Sequence, residues 1–276
     1  LAAGVAMRHV LAAIWLCALL LAAVPARAQV TLSLACSGLG TEGALCREGA
    51  EDWAARSGHR VRLVSLPNRG TERLALLRQL LAAGSRDIDV LQIDAVWPGM
   101  LAEQLLDLAP HLDTEGQLDQ ALRNNTVDGR LVAMPWFTGA GLLYYRSDLL
   151  AAHGHAVPET WEALTATAAA IMRAEPARPR RLWGFVFQGR AYEGLTVNAL
   201  EWLASHGAPA IVDEGGRVAA ADPRAGRALA LARSWIGTIA PPGVLTYAEE
   251  EARAVFQSGD AVFMRNWPYA WALLNA

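Results

Sequence analysis

The stretch Asp87-Ile88-Asp89-Val90-Leu91-Gln92-Ile93-Asp94-Ala95-Val96-Trp97-Pro98-Gly99 decides the fold. Its centre is a brief aliphatic and β-branched run, the pattern of a strand buried on both faces of a parallel sheet. The run stops at an acid, and Trp-Pro-Gly follows at once. Ligands of open α/β sheets sit beyond the carboxyl ends of the strands, so Asp94 and Trp97 stand where a ligand would. A carboxylate accepts hydroxyl protons in charge-assisted hydrogen bonds, and an indole offers a broad apolar face. That pair suits a sugar. A purely structural reading competes with it, in which Asp94 caps the next helix and Trp97 fills core.

Upstream of this stretch, Val30 to Ala35 reads as a strand and Ala44 to Arg56 as a helix. Val61 to Leu66 is a second strand. Thr71 to Ala82 is an amphipathic helix with Leu74, Leu77 and Leu81 on one face. With the opening stretch as third strand, the order is β-α-β-α-β, the signature of a parallel, layered α/β domain. Gly38-x-Gly40-x-x-Gly43 falls between strand and helix and matches the dinucleotide fingerprint. No acid ends the second strand, however, where Pro67 and Asn68 stand, and Glu42 would face the pyrophosphate. The turn reads instead as one that brings backbone and Glu42 up to a neutral polar ligand. Thr71 is a candidate N-cap with Glu72 in the first turn. Arg73 points either to solvent or inward as a hydrogen-bonding fork.

Downstream, Leu101 to Leu112 reads as helix with a stop at Pro110, and Asp128-Gly129 as a turn. Met134 to Gly141 is an aromatic-rich loop of the kind that forms cleft walls or crossovers, with Trp136 in it. Leu142 to Arg146 is a strand, Ser147 caps a short helix, and a longer helix runs from Thr160 to Arg173. The segment from Arg173 to Arg181 holds two prolines and four arginines and reads as an exposed loop. His153 and His155 lack an evident third ligand for a metal. Trp183 to Phe187 is a strand, and Tyr192-Glu193-Gly194 opens a helix reaching Ser205. Gly215-Gly216 is a hairpin-type turn, and Asp222-Pro223 starts a helix that runs to Trp235. A helix from Tyr247 to Gln257 leads to a strand, Ala261 to Met264. Arg265-Asn266-Trp267-Pro268-Tyr269 then repeats the logic of the opening stretch: strand, polar groups, Trp-Pro.

The chain has 276 residues, 53% hydrophobic and 18% charged, enough for a sizeable core and for two domains. A net charge of −3 provides no basic groove for nucleic acid. All 24 basic residues are arginine, which excludes a P-loop lysine, a Schiff-base lysine and a Ser–Lys dyad. Met7-Arg8-His9, the apolar run Val10 to Val24 and Pro25-Ala26-Arg27-Ala28 describe a secretory signal peptide cleaved near Ala28. The run is short for a transmembrane span, and an uncleaved anchor is the lesser alternative. Export leaves Cys36 and Cys46 in an oxidising compartment. There they either pair, stiffening the first strand-to-helix turn, or remain small buried hydrophobes.

Several motifs together carry a family resemblance. They are Thr71-Glu72-Arg73-Leu74-Ala75-Leu76, the run Asp87 to Gly99, Pro135-Trp136-Phe137-Thr138 and Gly141-Leu142-Leu143-Tyr144-Tyr145-Arg146. Tyr192-Glu193-Gly194-Leu195-Thr196-Val197-Asn198 and Phe263-Met264-Arg265-Asn266-Trp267-Pro268-Tyr269-Ala270-Trp271 complete them. The chain resembles extracellular solute-binding proteins of ABC sugar importers, in the group that takes trehalose, maltose and similar α-glucosides. The cysteine pair also looks like that group. The resemblance implies the α/β, two-lobe periplasmic-binding-protein fold (type II, maltose-binding-protein-like). Residues 29–135 plus a possible later return segment would form the N-terminal lobe, and 136–276 the C-terminal lobe. By position, Glu42, Arg73, Asp94 and Trp267 match residues that line the sugar cleft. Tyr192 and Trp136 join them as candidates, beside Trp97.

Two departures stand out. The family usually has an acid after Phe-Thr, where this chain has Gly139, which puts one sugar hydroxyl contact in doubt. Family chains also continue well beyond Trp-Pro-Tyr, so the second lobe is expected to be incomplete, with poor solubility and weak sugar binding or none. The expected function is that of a non-catalytic, monomeric, periplasmic sugar carrier for an importer's membrane permease, with no cofactor, metal or nucleic acid. The rival expectation is a secreted glycoside hydrolase using Glu42 and Asp94, which would need the two carboxylates at roughly 5 or 6.5–9.5 Å.

Overall fold

A computed structural model describes residues 28–36, 40–176, 180–209, 211–212, 217–218 and 221–275. Strand β1 (Thr31–Cys36) lies at the centre of a first sheet, with Ala35 and Cys36 buried. Helix α1 (Gly40–Ser57) follows, and β2 (Arg60–Ser65) pairs parallel with β1, Thr31 opposite Arg60. Helix α2 (Gly70–Ala82) leads to β3 (Val90–Leu91), which pairs parallel on the other side of β1, Leu34 opposite Val90. The order is β2-β1-β3. The chain thus leaves β1 in one direction for β2 and ends on its opposite side. In an open α/β sheet such a reversal opens a crevice at the carboxyl ends of the strands. Beneath it lies a core of Ala35, Leu66, Leu77, Trp97 and Leu101, with Leu74 and Leu81 packed against it. The leucine face expected of α2 is the face it buries.

The opening stretch differs in two ways from a strand buried on both faces. Strand β3 covers only two residues, and Val90 is exposed. Among the described residues β3 bonds to β1 alone, so it lies at an edge. Its register is held by the backbone bonds Asp89 N to Ser33 O (3.0 Å) and Gln92 N to Ala35 O (2.8 Å). The Asp89 carboxylate adds bonds from Ser33 N (2.7 Å) and Ser33 Oγ (2.6 Å).

The helix expected from Leu101 to Leu112 is also corrected. A short α3 (Pro98–Leu101) passes into a 3-10 turn over Ala102–Gln104 and stops. The Arg130 guanidinium donates to the carbonyls of Ala102 and Leu105, which a continued helix would need for its own ladder. After α4 (Asp119–Asn124), β4 (Thr126–Val127) and β5 (Arg130–Leu131) form the hairpin that Asp128-Gly129 announced. Both turn residues have positive φ, 50° and 78°, as a two-residue hairpin turn requires.

A second sheet follows, from β6 (Leu142–Tyr145), α5 (Ser147–Ala152), α6 (Trp161–Ala174), β7 (Trp183–Val186), α7 (Glu193–Ser205), α8 (Pro223–Trp235), α9 (Glu249–Gln257), β8 (Ala261–Asn266) and α10 (Tyr269–Leu274). Its order is β6-β8-β7, with β8 antiparallel to β6 and parallel to β7. Every residue of β8 is buried. Phe185, Phe187, Trp202 and Trp235 pack edge-on into the core above it, with Phe187 and Trp202 centroids 5.4 Å apart. Thr160 caps α6 through Ala163 N, and Asp222 caps α8 through Arg224 N, with Pro223 at the first helical position. Ser147 is not a cap: it stands inside the first turn of α5, and Arg146 precedes it.

Cys36, at the end of β1, is disulfide-bonded to Cys46 in α1. The candidate leader 1–28 lies outside the described residues up to Arg27, as do Gly38 of the glycine turn and Gly215-Gly216. Val212 and Val218, which flank the latter pair, form an antiparallel bridge. Among the described residues no helix is long and apolar enough to cross a membrane.

Candidate functional site

Each parallel strand of the first sheet delivers one polar residue to the carboxyl edge. Glu42 stands in the first turn of α1 after β1, Arg73 in the first turn of α2 after β2, and Asp94 just beyond β3. Asp94 does not cap a helix; its Oδ1 accepts from Val96 N at 3.3 Å and shapes the turn. Asn124 secures the same turn by donating Nδ2 to Ala95 O at 2.7 Å.

Trp97 requires a correction. Its indole is 0% exposed and packs with Leu77 and Leu101 in the core, so no face is free to cover a sugar. It is the floor of the site rather than its wall. The Arg73 guanidinium lies 5.2 Å from its ring centroid, which sets the arginine's place by cation–π attraction. Burial pushes the Glu42 carboxyl above the usual glutamate range, and the nearby Arg73 charge partly restores its acidity. Arg73 Nε is buried with no hydrogen-bond partner.

The second sheet brings a facing set. Glu193, in the first turn of α7, accepts a hydrogen bond from Trp97 Nε1 at 3.3 Å. That contact joins the two sheets' units across 96 residues of sequence. Burial, with the Asp94 charge second, pushes the Glu193 carboxyl upward. Tyr192 precedes the helix, and its ring folds over Gly194 so closely that any side chain there would collide with it. Burial and the neighbouring Glu249 carboxylate hold the Tyr192 hydroxyl firmly protonated, yet that oxygen makes no well-formed hydrogen bond.

Trp267 follows β8 and is partly exposed. Its carbonyl accepts from Tyr144 Oη at 2.8 Å, and the Arg265 guanidinium carbon lies 3.9 Å from its ring centroid. Trp136 is 53% exposed and packs edge-on against Phe137, with centroids 5.7 Å apart. A Cβ at Gly139 would meet nothing within 4 Å. His153 is paired with Glu175 at 2.9 Å.

Glu42, Arg73, Asp94 and Tyr192 are therefore linked through Trp97, Glu193 and Glu249 into one polar cluster, and Trp267 joins it through Arg265. The sequence reading missed Glu193, Glu249 and Arg265. The first lay inside a quoted motif beside Tyr192, and the last opens the second strand-then-Trp-Pro junction. Glu249 carried no local signal beyond its place in an acidic helix start. Chemically the cluster combines carboxylate acceptors, an arginine donor and a phenol. That set can recognise a neutral polyhydroxy ligand, each hydroxyl of which both donates and accepts.

Comparison with known proteins gives concordant results. Residues 37–276 match the family described as bacterial extracellular solute-binding protein. A probable ABC transporter-binding protein of Deinococcus radiodurans is 47% identical over 247 residues, covering 88% of this chain and 59% of that protein. The structure of maltose-bound T. maritima MalE3 aligns with TM-score 0.81 at 40% identity, over 90% of this chain and 63% of that one. The GacH receptor of Streptomyces glaucescens shares the fold, with TM-score 0.76 at 22% identity, over 90% and 62% of the two chains. The chain thus spans about three fifths of the length of these relatives.

Proposed function

The chain belongs to the bacterial extracellular solute-binding protein family, and from that premise we propose that it is the sugar-binding component of an ABC importer. Its ligand in this reading is an α-linked disaccharide such as maltose or trehalose. It works outside the cytoplasm as a monomeric, non-catalytic carrier that delivers the sugar to a membrane permease. Support for the sugar class comes from the maltose-bound relative at 40% identity and from the cleft chemistry. The observation that carries the reading is the Arg73 Nε donor, buried without a hydrogen-bond partner over the Trp97 ring and beside Glu42. A buried polar group without a partner is costly, and a sugar hydroxyl would satisfy it.

Residues 29–135 and 136–276 are taken as the two lobes. Glu42, Arg73 and Asp94 bind hydroxyls from the first lobe, Tyr192 does so from the second, Trp267 covers the ring's C–H face, and Trp136 borders the entrance. Closure follows because the sugar touches both lobes only when they are together, so it favours the closed state. The relatives are binding proteins, and a glycoside hydrolase is not favoured.

A thermal-shift screen of mono- and disaccharides, run on the protein at the full length of its relatives, tests this. Maltose or trehalose at a hundred times its Kd should stabilise the chain by about 2.7 kcal/mol, raising Tm. No shift with any sugar, at millimolar concentration, would overturn the reading.

A further inference from the structure

Arg265, the fifth residue of β8, is only 3% exposed. A cation so far from water must have partners, and it has them along one edge. Nε donates to Glu201 Oε2 at 3.1 Å, and Nη2 donates to Glu201 Oε1. Nη1 reaches Gln188 Oε1 at 3.3 Å. Gln188 is itself fixed, since its Nε2 donates to Arg265 O at 3.0 Å and Asn198 Nδ2 donates to its backbone oxygen at 3.0 Å. These bonds occupy the edge of the guanidinium and leave its flat face. That face lies 3.9 Å from the Trp267 ring. A Cβ at position 141 would collide with both Glu201 Oε1 and the Arg265 guanidinium, so only glycine there leaves room for the brace.

We propose that Arg265 is the positioning residue of the cleft: braced edgewise by Glu201 and Gln188 over Gly141, it holds the Trp267 indole by its flat face so that the ring is set in place before ligand arrives. The proposal rests on the sugar-carrier reading, because only there does the orientation of Trp267 matter for affinity. Arginine alone among the cations can bind a carboxylate with its edge while stacking with its face; the compact lysine ammonium cannot do both. An indole already held in place gives up less freedom when a sugar stacks on it, and that saving is affinity. Arg265 touches no sugar in this scheme and acts only through Trp267.

The test, in the protein at the full length of its relatives, is a double-mutant cycle of Arg265→Lys and Trp267→Ala, with maltose binding followed by titration calorimetry and the Trp267 environment by near-ultraviolet circular dichroism. Glu201→Gln, which keeps the shape and removes the charge, is carried alongside in case Arg265→Lys fails to fold. We expect Arg265→Lys to weaken maltose binding about tenfold in the unaltered chain and to have no further effect once Trp267 is alanine. The dichroism band that Trp267→Ala removes should also be lost in Arg265→Lys. Equal weakening in both backgrounds, or a retained band with maltose still bound, overturns the role of Arg265 while leaving the carrier reading intact. Failure of the unaltered chain to bind maltose or any other sugar overturns the carrier reading and the positioning role with it.

Discussion

Glu193 carries more of this site than its neighbours in sequence suggest. Its carboxyl accepts a hydrogen bond from the Trp97 indole N–H and lies close enough to Asp94 for the two charges to repel. Its native proton affinity is raised, chiefly by burial, and that of Glu42 is raised for the same first reason. At these two carboxyls the native chain holds protons that the unfolded chain releases, so their contribution to stability is full below the ordinary glutamate value of 4.5 and is lost as pH rises through the raised native values; the lowered carboxyls of Asp89, Asp148, Asp222 and Glu250 contribute with the opposite sign. Glu193→Gln removes one of the two groups. The Tm difference between Glu193→Gln and the unliganded parent, followed from about pH 4 to about pH 7, should move in the variant's favour as pH rises, and a difference independent of pH would refute this assignment. Glu193 was within view in the sequence, next to Tyr192. What could not be read was that an indole 96 residues away would be its partner.

Elements end where their caps and competitors dictate. Helix α6 begins at Thr160, whose hydroxyl accepts from Ala163 N at 3.1 Å. Thr160→Ala should cost about 1 kcal/mol, read as a lower denaturation midpoint with unchanged slope. This start was legible because an N-cap is a local signal, as was Asp222-Pro223 for α8. The end of α3 was not legible, because Arg130, a distant residue in β5, takes the carbonyls of Ala102 and Leu105. The Cys36–Cys46 bond ties β1 to α1 on either side of Glu42. It closes a loop with a sequence separation of 10, for which chain entropy gives about 2–3 kcal/mol. Cys36→Ser with Cys46→Ser should lose about that much in urea denaturation, and the parent should lose the same on adding reductant.

At the scale of the whole molecule, several contacts bridge the units. One is Trp97 with Glu193. Another is Arg69, which binds Glu72 at 3.1 Å and Glu251 of α9 at 3.2 Å. Helix α10 also packs against α1. All three partners of the arginine cluster are partly exposed, so the bridge is screened by salt and works by biasing arrangement more than by adding stability. Arg69→Ala should widen the unliganded particle, raising the radius of gyration from small-angle scattering, with little change in Tm. A radius unchanged from the parent would show that the bridge does not hold the units together.

Sequence by itself determined the parallel β-α-β-α-β unit, most helix and strand positions, the hairpin at Asp128-Gly129 and the placing of Glu42, Arg73 and Asp94 at strand ends. Those features follow from periodicity, caps and turn residues, which act over a few positions. Tertiary structure alone decided that Trp97 is floor and not wall, that Glu193 reaches it from the other unit, and that Arg265 lies flat on Trp267. Burial and cross-unit contact depend on which surfaces meet in space, and neighbouring residues in the chain carry no record of that.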